Sequence, residues 1–456
     1  MGPQIDHAMR KFITPDRNKE HLMPASIDEW LPQKHLARFV VEITEQLDLS
    51  AIYKEYKPSG PPPYDPRMLL ALLFYGYATG VYSSRKIEEA TYDSVAFRFI
   101  SGNLHPDHDT LADFRKRFLE QIGGCFVQIL LIAQSLGFVK VGQVNIDGTK
   151  IQANASKHSA MSYEHMERLE QQFKEEVERL MERAKQVDMQ EGQELDIPAE
   201  IQRREDRIEK IQAAKKVIEQ RAKERFEREQ AEYEAKMKAR EEKEKQSGKK
   251  TKGKKPTAPE EGPTAKDQYN FTDPESRIMK TSDGFDQCYN AQAAVSGQML
   301  IVGALANAHC VDTQELLPVL DVIPAILGNV DRLAADNGYF SQGNVQGCQQ
   351  REVDAYIAVG KQAHNQWLDQ QLAKQDLEPP GEHATPSMQM SHKLKTEIGR
   401  AIYRLRKMTV EPVFGIIKEI MGFRRFSFRG EVAINGEWLL VCSAFNLKRL
   451  FVLINA

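Results

Sequence analysis

Residues 160–188 and 198–245 are dense in Glu, Lys, Arg and Gln, and they limit what the rest of the chain can fold into. Met166, Leu169, Phe173, Val177 and Leu180 recur at three- and four-residue steps, and Ile201, Ile208, Ile211, Ile218 and Ala222 continue less regularly. Side chains at that spacing share one face of a helix. Two such helices, broken by "MQEGQELDIP", predict a helical hairpin over 159–245 in which each stripe buries the other with coiled-coil-like packing. A solvated face is the commoner reason for so much charge; dimerisation or a grip on a DNA end are the functional readings. The stretch that follows, 246–267, is polar and rich in Pro and Gly, and is expected to be a disordered Lys-rich linker. Residues 243–255 carry seven Lys against one Glu, which suits either a phosphate-gripping arm or a plain linker.

The insertion divides an otherwise ordinary globular chain. With 456 residues, 41% apolar, there is material for two or three domains and at least one sizeable core. Residues 1–135 predict short helices: Pro66 and Gly80 bracket one, Ser84 is a possible cap for the next, and Thr110 to Asp113 has capping-box spacing for a third. With the basic "FRKRF" (114–118), this region reads equally as a DNA-binding module or as a plain helical domain with surface cations. Residues 136–158 hold a first strand, expected over 138–147. From 268 to 456 strand and helix signals alternate: a hairpin over 284–308 turning near Ser296–Gly297, a helix in "TQELLPVLDVIPAIL", short strands in "RLAAD" and "VDAYIAV", poor patterning over 361–395, then helices. The fold class is therefore mixed α/β, with its first strand separated from the others by the hairpin. The five Cys are scattered and suggest reduced thiols. The amino terminus has no apolar signal core, and the longest apolar stretch, 68–82, is too short for a bilayer, so the expected location is cytoplasmic, with no membrane partner.

The charge of −3 says little about partners, but its distribution says more. From Lys393 to Arg429 there are ten Lys/Arg against three Glu, the footprint of a surface for a polyanion. Glu411 lies within this basic stretch, and it and two other acids stand at notable places. Asp147 ends the apolar run "VGQVNID" and is followed by Gly148. Asp336 ends "VDRLAAD" and is followed by Asn337–Gly338. Glu411 precedes Pro412, which biases it toward a helix start. Each alone is ordinary turn or cap chemistry. Jointly they offer hard oxygen ligands for two Mg²⁺ or Mn²⁺ ions, a pair able to serve phosphodiester cleavage. Gly415 and Lys418 lie at i+4 and i+7 from Glu411, where they offer room and a positive charge.

At these residues the sequence resembles the bacterial insertion-sequence transposases of the DDE type. "YDPRMLLALLFYGYATGVYSSRKIEEATYDSVAFRFISGNLHPDHDTLADFRKRF" (64–118) resembles their amino-terminal helical domain, "NIDGTKIQANAS" and "AADNGYFS" their first two catalytic blocks, and "YRLRKMTVEPVFGIIK" (403–418) the third, where a Tyr-Arg-Glu-Lys signature is usual. The resemblance implies an RNase H-like catalytic domain and a metal-binding triad of Asp147, Asp336 and Glu411. It also implies DNA contacts through Tyr403, Arg406 and Lys418. Four residues rather than three separate Arg406 from Glu411, so Lys407 occupies the nominal arginine position and is a further DNA-contact candidate. The implied activity is metal-dependent cleavage at transposon ends followed by strand transfer of the 3′-OH to target DNA. The implied partners are double-stranded DNA, as terminal inverted repeats and target, and a second copy of the chain. Two other readings stay open: a metal-dependent endonuclease that does not join, and a decayed DNA-binding or coiled-coil protein.

Overall fold

The computed structural model describes residues 26–57, 62–187, 197–247, 255–282, 284–360, 381 and 384–456. They fall into two compact units, one of residues up to 76 with 81–117, the other of 77–80 with 118–456.

The first unit is helical: α1 (Leu36–Gln46), α2 (Ser50–Tyr53), most of α3 (Pro66–Thr79), α4 (Ser84–Asp93), α5 (Val95–Ser101) and α6 (His108–Arg117). α6 is capped by Asp107, whose carboxylate accepts from Thr110 N at 2.7 Å, so the expected capping box at Thr110–Asp113 is displaced by one turn. Ser83, rather than Ser84, stands at the cap position of α4, and Ser84 is buried. Two cations of "FRKRF" are used internally. Arg115 is buried and donates to Tyr82 O, and Arg117 donates to Glu55 O. Lys116 is exposed.

In the second unit, α7 (Leu119–Ser135) precedes β1 (Gln143–Gln152), so the helical region expected to reach residue 135 is divided at Arg117. The reason is packing: the apolar face of α7 is buried against the C-terminal helix described below. β1 is followed by β2 (Ala160–Ser162), α8 (Tyr163–Val187), α9 (Ile197–Ser247), β3 (Gln268–Asn270), β4 (Arg277–Thr281), β5 (Gly284–Ser296) and β6 (Ile301–Asn307). Then come α10 (Leu316–Asp321), β7 (Arg332–Ala335), α11 (Gln342–Gln350), β8 (Asp354–Ile357), α12 (Pro386–Lys395), α13 (Glu397–Gly415) and α14 (Glu431–Asn455). α12 begins in a stretch expected to be poorly patterned; Thr385 caps it and Pro386 opens it. Of that stretch, 361–380 and 382–383 lie outside the described residues.

The sheet runs β4-β5-β1-β7-β8, with β6 also on β5. β5 is buried from Gln287 to Ser296, as a strand covered on both faces must be. α13 packs on β1, β5, β7 and β8, and α14 on β6 and α7. Trp438 of α14 is fully buried, and its Nε1 donates to Gln292 O.

The hairpin is asymmetric. Tyr163 hydrogen-bonds Glu219, Glu170 meets Gln212 and Lys215, and Glu176 meets Arg204, so α8 runs antiparallel to the first half of α9. Met166, Ile211, Ala214 and Ile218 form its core. α9, with 51 residues, continues beyond α8, which has 25. The connection, 188–196, lies outside the described residues. β2 and β3 pair at the base, which brings the two ends of the insertion together and leaves the main sheet undisturbed. Residues 248–254 are likewise outside the described set, but the end of the expected disordered linker is held in place. Arg225 forks onto Asp267, and Tyr163 N donates to Asp267 O at 2.8 Å.

Glu170 gives the hairpin a pH response. Hydrogen bonds from Lys174, Gln212 and Lys215 hold its carboxyl down to about 2 against burial, which acts the other way. The folded-state value is depressed, so the contribution is complete above the unfolded carboxylate range, near 4.3, and is lost as pH falls toward 2. The helical circular-dichroism signal should therefore fall less steeply between pH 5 and 2 in E170Q than in wild type. Superimposable profiles would mean that this carboxylate is not coupled to hairpin folding.

Candidate active site

Strand register places the first two acids. β1 and β7 are parallel, and their last paired residues are Ile146 and Ala335. Asp147 and Asp336 are the next residues on the two chains, so two carboxylates sit side by side where the pairing stops. Asp147 was expected at a strand end, but β1 continues to Gln152 through pairing with β5. It is therefore the end of the β1–β7 pairing, and not of the strand, that opens the sheet beside Asp147. Asp336 leaves β7 as the cap of a 3₁₀ turn (Asn337–Tyr339), its Oδ1 accepting from Gly338 N at 2.8 Å; Asn337 is exposed.

The third acid arrives on α13. Glu411 and Pro412 lie within this helix and not at its start, because the helix is initiated upstream, where Thr396 Oγ1 accepts from Gly399 N. α13 passes directly into a π-helical turn, Ile416–Ile420, which carries Lys418. Such turns occur disproportionately at functional sites. Lys418 Nζ donates to Lys150 O at 3.1 Å. Gly415 is exposed, and a Cβ there would meet nothing within 4 Å.

Arg406 joins the acids. Its Nη1 donates to Asp147 Oδ2 at 2.8 Å, and its Nη2 stands 3.4 Å from Glu411 Oε1. Its side chain is 9% exposed, against 19% for Asp147 and 47% for Glu411. Burial pushes the Asp147 carboxyl up to about 6; Arg406 and the Gly148 N–H oppose this, and neighbouring Asp336 adds to it. Burial works against the Arg406 charge, but Asp147, Tyr403, Asp336 and Glu411 outweigh it and hold the guanidinium above its ordinary value. Tyr403 lies one turn before, with the guanidinium 5.7 Å from its ring centre; burial raises its phenol, and Asp336 and Asp147 add smaller pushes. Lys407 is exposed and makes none of these contacts. Of the two candidates for the arginine position, Arg406 is therefore the one at the acids.

Beside them is a polar network, most of which sequence reasoning did not anticipate. Asp312 Oδ1 accepts from Lys150 Nζ, Asn290 Nδ2 and Gln292 Nε2, at 3.1, 2.8 and 3.1 Å. Gln292 also accepts from the buried Tyr339 hydroxyl. Gly148 is explained here, since a Cβ on it would come within 2.1 Å of Gln292 Nε2. A Cβ on Gly338 would stand 3.0 Å from Asp336 Oδ1 and 3.5 Å from Asp312 Oδ2, so the fourth acid adjoins the second. The usable signal was Asn290 and Gln292, amides at alternate positions of a strand whose later residues are mostly apolar.

For divalent cations the donor set is of the right kind: three carboxylates, hard oxygen ligands, gathered around one positive group. Among the described residues no three Asp, Glu, His or Cys side chains stand close enough together to ligate one ion as placed. The Arg406 guanidinium fills the space between Asp147 and Glu411, and its buried Nε lacks a hydrogen-bond partner. The donor types suit such ions, while the spacing as placed suits the guanidinium.

Residues 25–117 match the family described as "Transposase domain (DUF772)", and residues 237–447 match the "Transposase DDE domain". The second match takes in Asp336, Arg406 and Glu411 and begins after Asp147. Searches of curated proteins and of solved structures returned no match. Among the described residues no single helix is long and apolar enough to cross a membrane. The mixed α/β sheet is the RNase H-like arrangement of the DDE domain, the helical N-terminal region carries the other match, and with both the chain belongs to the insertion-sequence DDE transposases.

Proposed function

We propose that this DNA transposase cuts the ends of its element and joins the freed 3′-OH to target DNA, with Asp147, Asp336 and Glu411 as the acids that hold two Mg²⁺ or Mn²⁺ ions. The observation that carries the reading is the register of β1 and β7, which puts Asp147 beside Asp336 with Arg406 linking Asp147 to Glu411. Bound there, the ions would supply activation of the attacking oxygen and stabilisation of the leaving one. Arg406, freed from the carboxylates, stands where a non-bridging phosphoryl oxygen can accept from it, and a guanidinium suits that contact. Lys418 holds a phosphate of the same strand, Tyr403 flanks the guanidinium, and Lys407 meets the duplex from the exposed side of α13. The substrates are the element's terminal inverted repeats and its target, met in the cytoplasm on the nucleoid. The reading extends to a homodimer; α8 and α9, which form their own core outside the main sheet, are the candidate surface for self-association or for gripping a DNA end.

Supplying pre-cleaved end duplex bearing a 3′-OH, with Mg²⁺ or Mn²⁺ and a plasmid target, should give covalently joined product, and chelation should abolish it. A protein that nicks intact ends but never joins would be an endonuclease, and the strand-transfer part of the reading would be withdrawn.

A further inference from the structure

Past the acids, β1 runs into a polar cleft of about 510 Å³. Its walls come from three distant parts of the chain: the end of β1 with the residues to Ser159, the segment carrying Arg425 and Arg429, and a third part that includes Thr272 and Asp286. The walls are tied together by backbone. Gln152 N donates to Arg424 O and Phe426 N donates to Gln152 O, which lays residues 424–426 alongside the strand end.

The two arginines of this cleft, like Arg98, Arg115 and Arg449 elsewhere, rest on neutral acceptors and not on carboxylates. Arg204, Arg225, Arg351 and Arg424 each face a carboxylate. Arg425 instead donates from Nε and Nη2 to the amide oxygen of Gln152, at 3.2 and 2.9 Å, and Arg429 donates from Nε to the backbone oxygen of Asn154 at 3.0 Å. Neutral acceptors fix the direction of a guanidinium without cancelling its charge. Lys157 adds a third cation, with Nζ on Phe285 O, and His158 lies beside it. The lining holds one carboxylate, Asp286, at 4.0 Å from Lys157. Three fixed or half-fixed cations facing a polar cleft suit successive phosphates of a nucleic-acid backbone.

Lys150 and Lys418 lie between the acids and this cleft, joined by the Lys418 Nζ to Lys150 O bond. From Asp147 to Gln152 the strand advances about 16 Å, roughly the length of five base pairs. We propose that the cleft binds the phosphate backbone of the transposon-end duplex about five base pairs from the cleaved bond, through Arg425, Arg429 and Lys157. This rests on the reading of the three acids as the cutting site; the cleft's position is measured from them.

The test uses equilibrium binding in a chelating buffer, so that no cleavage is needed. One end duplex stops about three base pairs from the cleaved bond on the cleft side and the other extends at least ten. Wild type should prefer the long duplex by about tenfold or more. In R425Q/R429Q/K157Q that preference should vanish, with the slope of log affinity against log salt on the long duplex reduced by about two to three, near 0.9 per lost phosphate contact. The charge-retaining R425K/R429K should recover most of it, which a purely structural role of the arginines would not allow. A triple variant that keeps both the length preference and the salt slope would overturn the proposal. If D147N fails to lose cleavage while the triple variant loses its slope, the acid assignment falls and the cleft stands as a DNA site.

Discussion

Asp147→Asn should lower strand cleavage by at least about 10³-fold while leaving end-DNA affinity within about a factor of two of wild type. Asparagine keeps the size of the side chain and an oxygen able to accept from Arg406 Nη1, so the junction of β1 and α13 survives. What it removes is the charge. Asp147 is more enclosed than Glu411, and burial, with a smaller push from neighbouring Asp336, raises its carboxyl, so a cation beside it favours its charged form. Without that carboxylate a metal pair would lose one of its three proposed ligands, and a thousandfold loss corresponds to about 4 kcal/mol of transition-state stabilisation. Binding should hold because the substitution alters none of the cations proposed to meet DNA: Arg406, Lys407, Lys418, Arg425, Arg429 and Lys157. Cleavage is read on labelled end duplex and affinity in the same buffer with the metal chelated. Wild-type cleavage by D147N would remove Asp147 from the acids and leave Asp312 as the acid to examine beside Asp336.

The second large effect is on the protein without metal. Arg406→Gln should destabilise the chelated protein by about 3 kcal/mol, because removing one member of a buried ion pair strands the other. For a unit of this size that lowers the melting temperature by roughly 4 °C. The stranded groups are Asp147 and the half-exposed Glu411, with Asp336 adding repulsion. Millimolar Mn²⁺ should restore more of the melting temperature in R406Q than it adds to wild type, since divalent ions would take over the counter-charge that the guanidinium otherwise supplies. R406K should fall between the two: an ammonium keeps the charge but cannot fork across two carboxylates. Equal losses with and without Mn²⁺ would mean that Arg406 acts through packing and that the ions do not enter among the acids.

Much of this was legible in the sequence because it is local. The stripe from Met166 to Leu180 reports a helix through its spacing alone, and β5 and β6 are visible as apolar runs around Ser296–Gly297. Pro412 misled for a related reason. It disfavours the helical conformation of the preceding residue, but a cap at Thr396 and burial of Ile402, Val410 and Val413 against the sheet carry the helix through it. Asp147 was read as a strand end because Gly148 follows it. Glycine is there for another reason, the side chain of Gln292, which no local pattern shows.

The sequence by itself determined the elements, the insertion and the residue types able to hold metal or meet phosphate, since periodicity, capping and side-chain chemistry act within a few residues. Only the tertiary structure decided which of them meet. Arg406 and Asp147 are 259 residues apart, and their contact depends on α13 crossing β1 at one place. Arg406 rather than Lys407 faces the acids because a step of one residue turns a side chain about 100° around a helix. Asp312 joins the site, and Arg425 reaches the end of β1, through the same kind of long-range pairing, whose register is set by the packing of the whole sheet and not by any single segment.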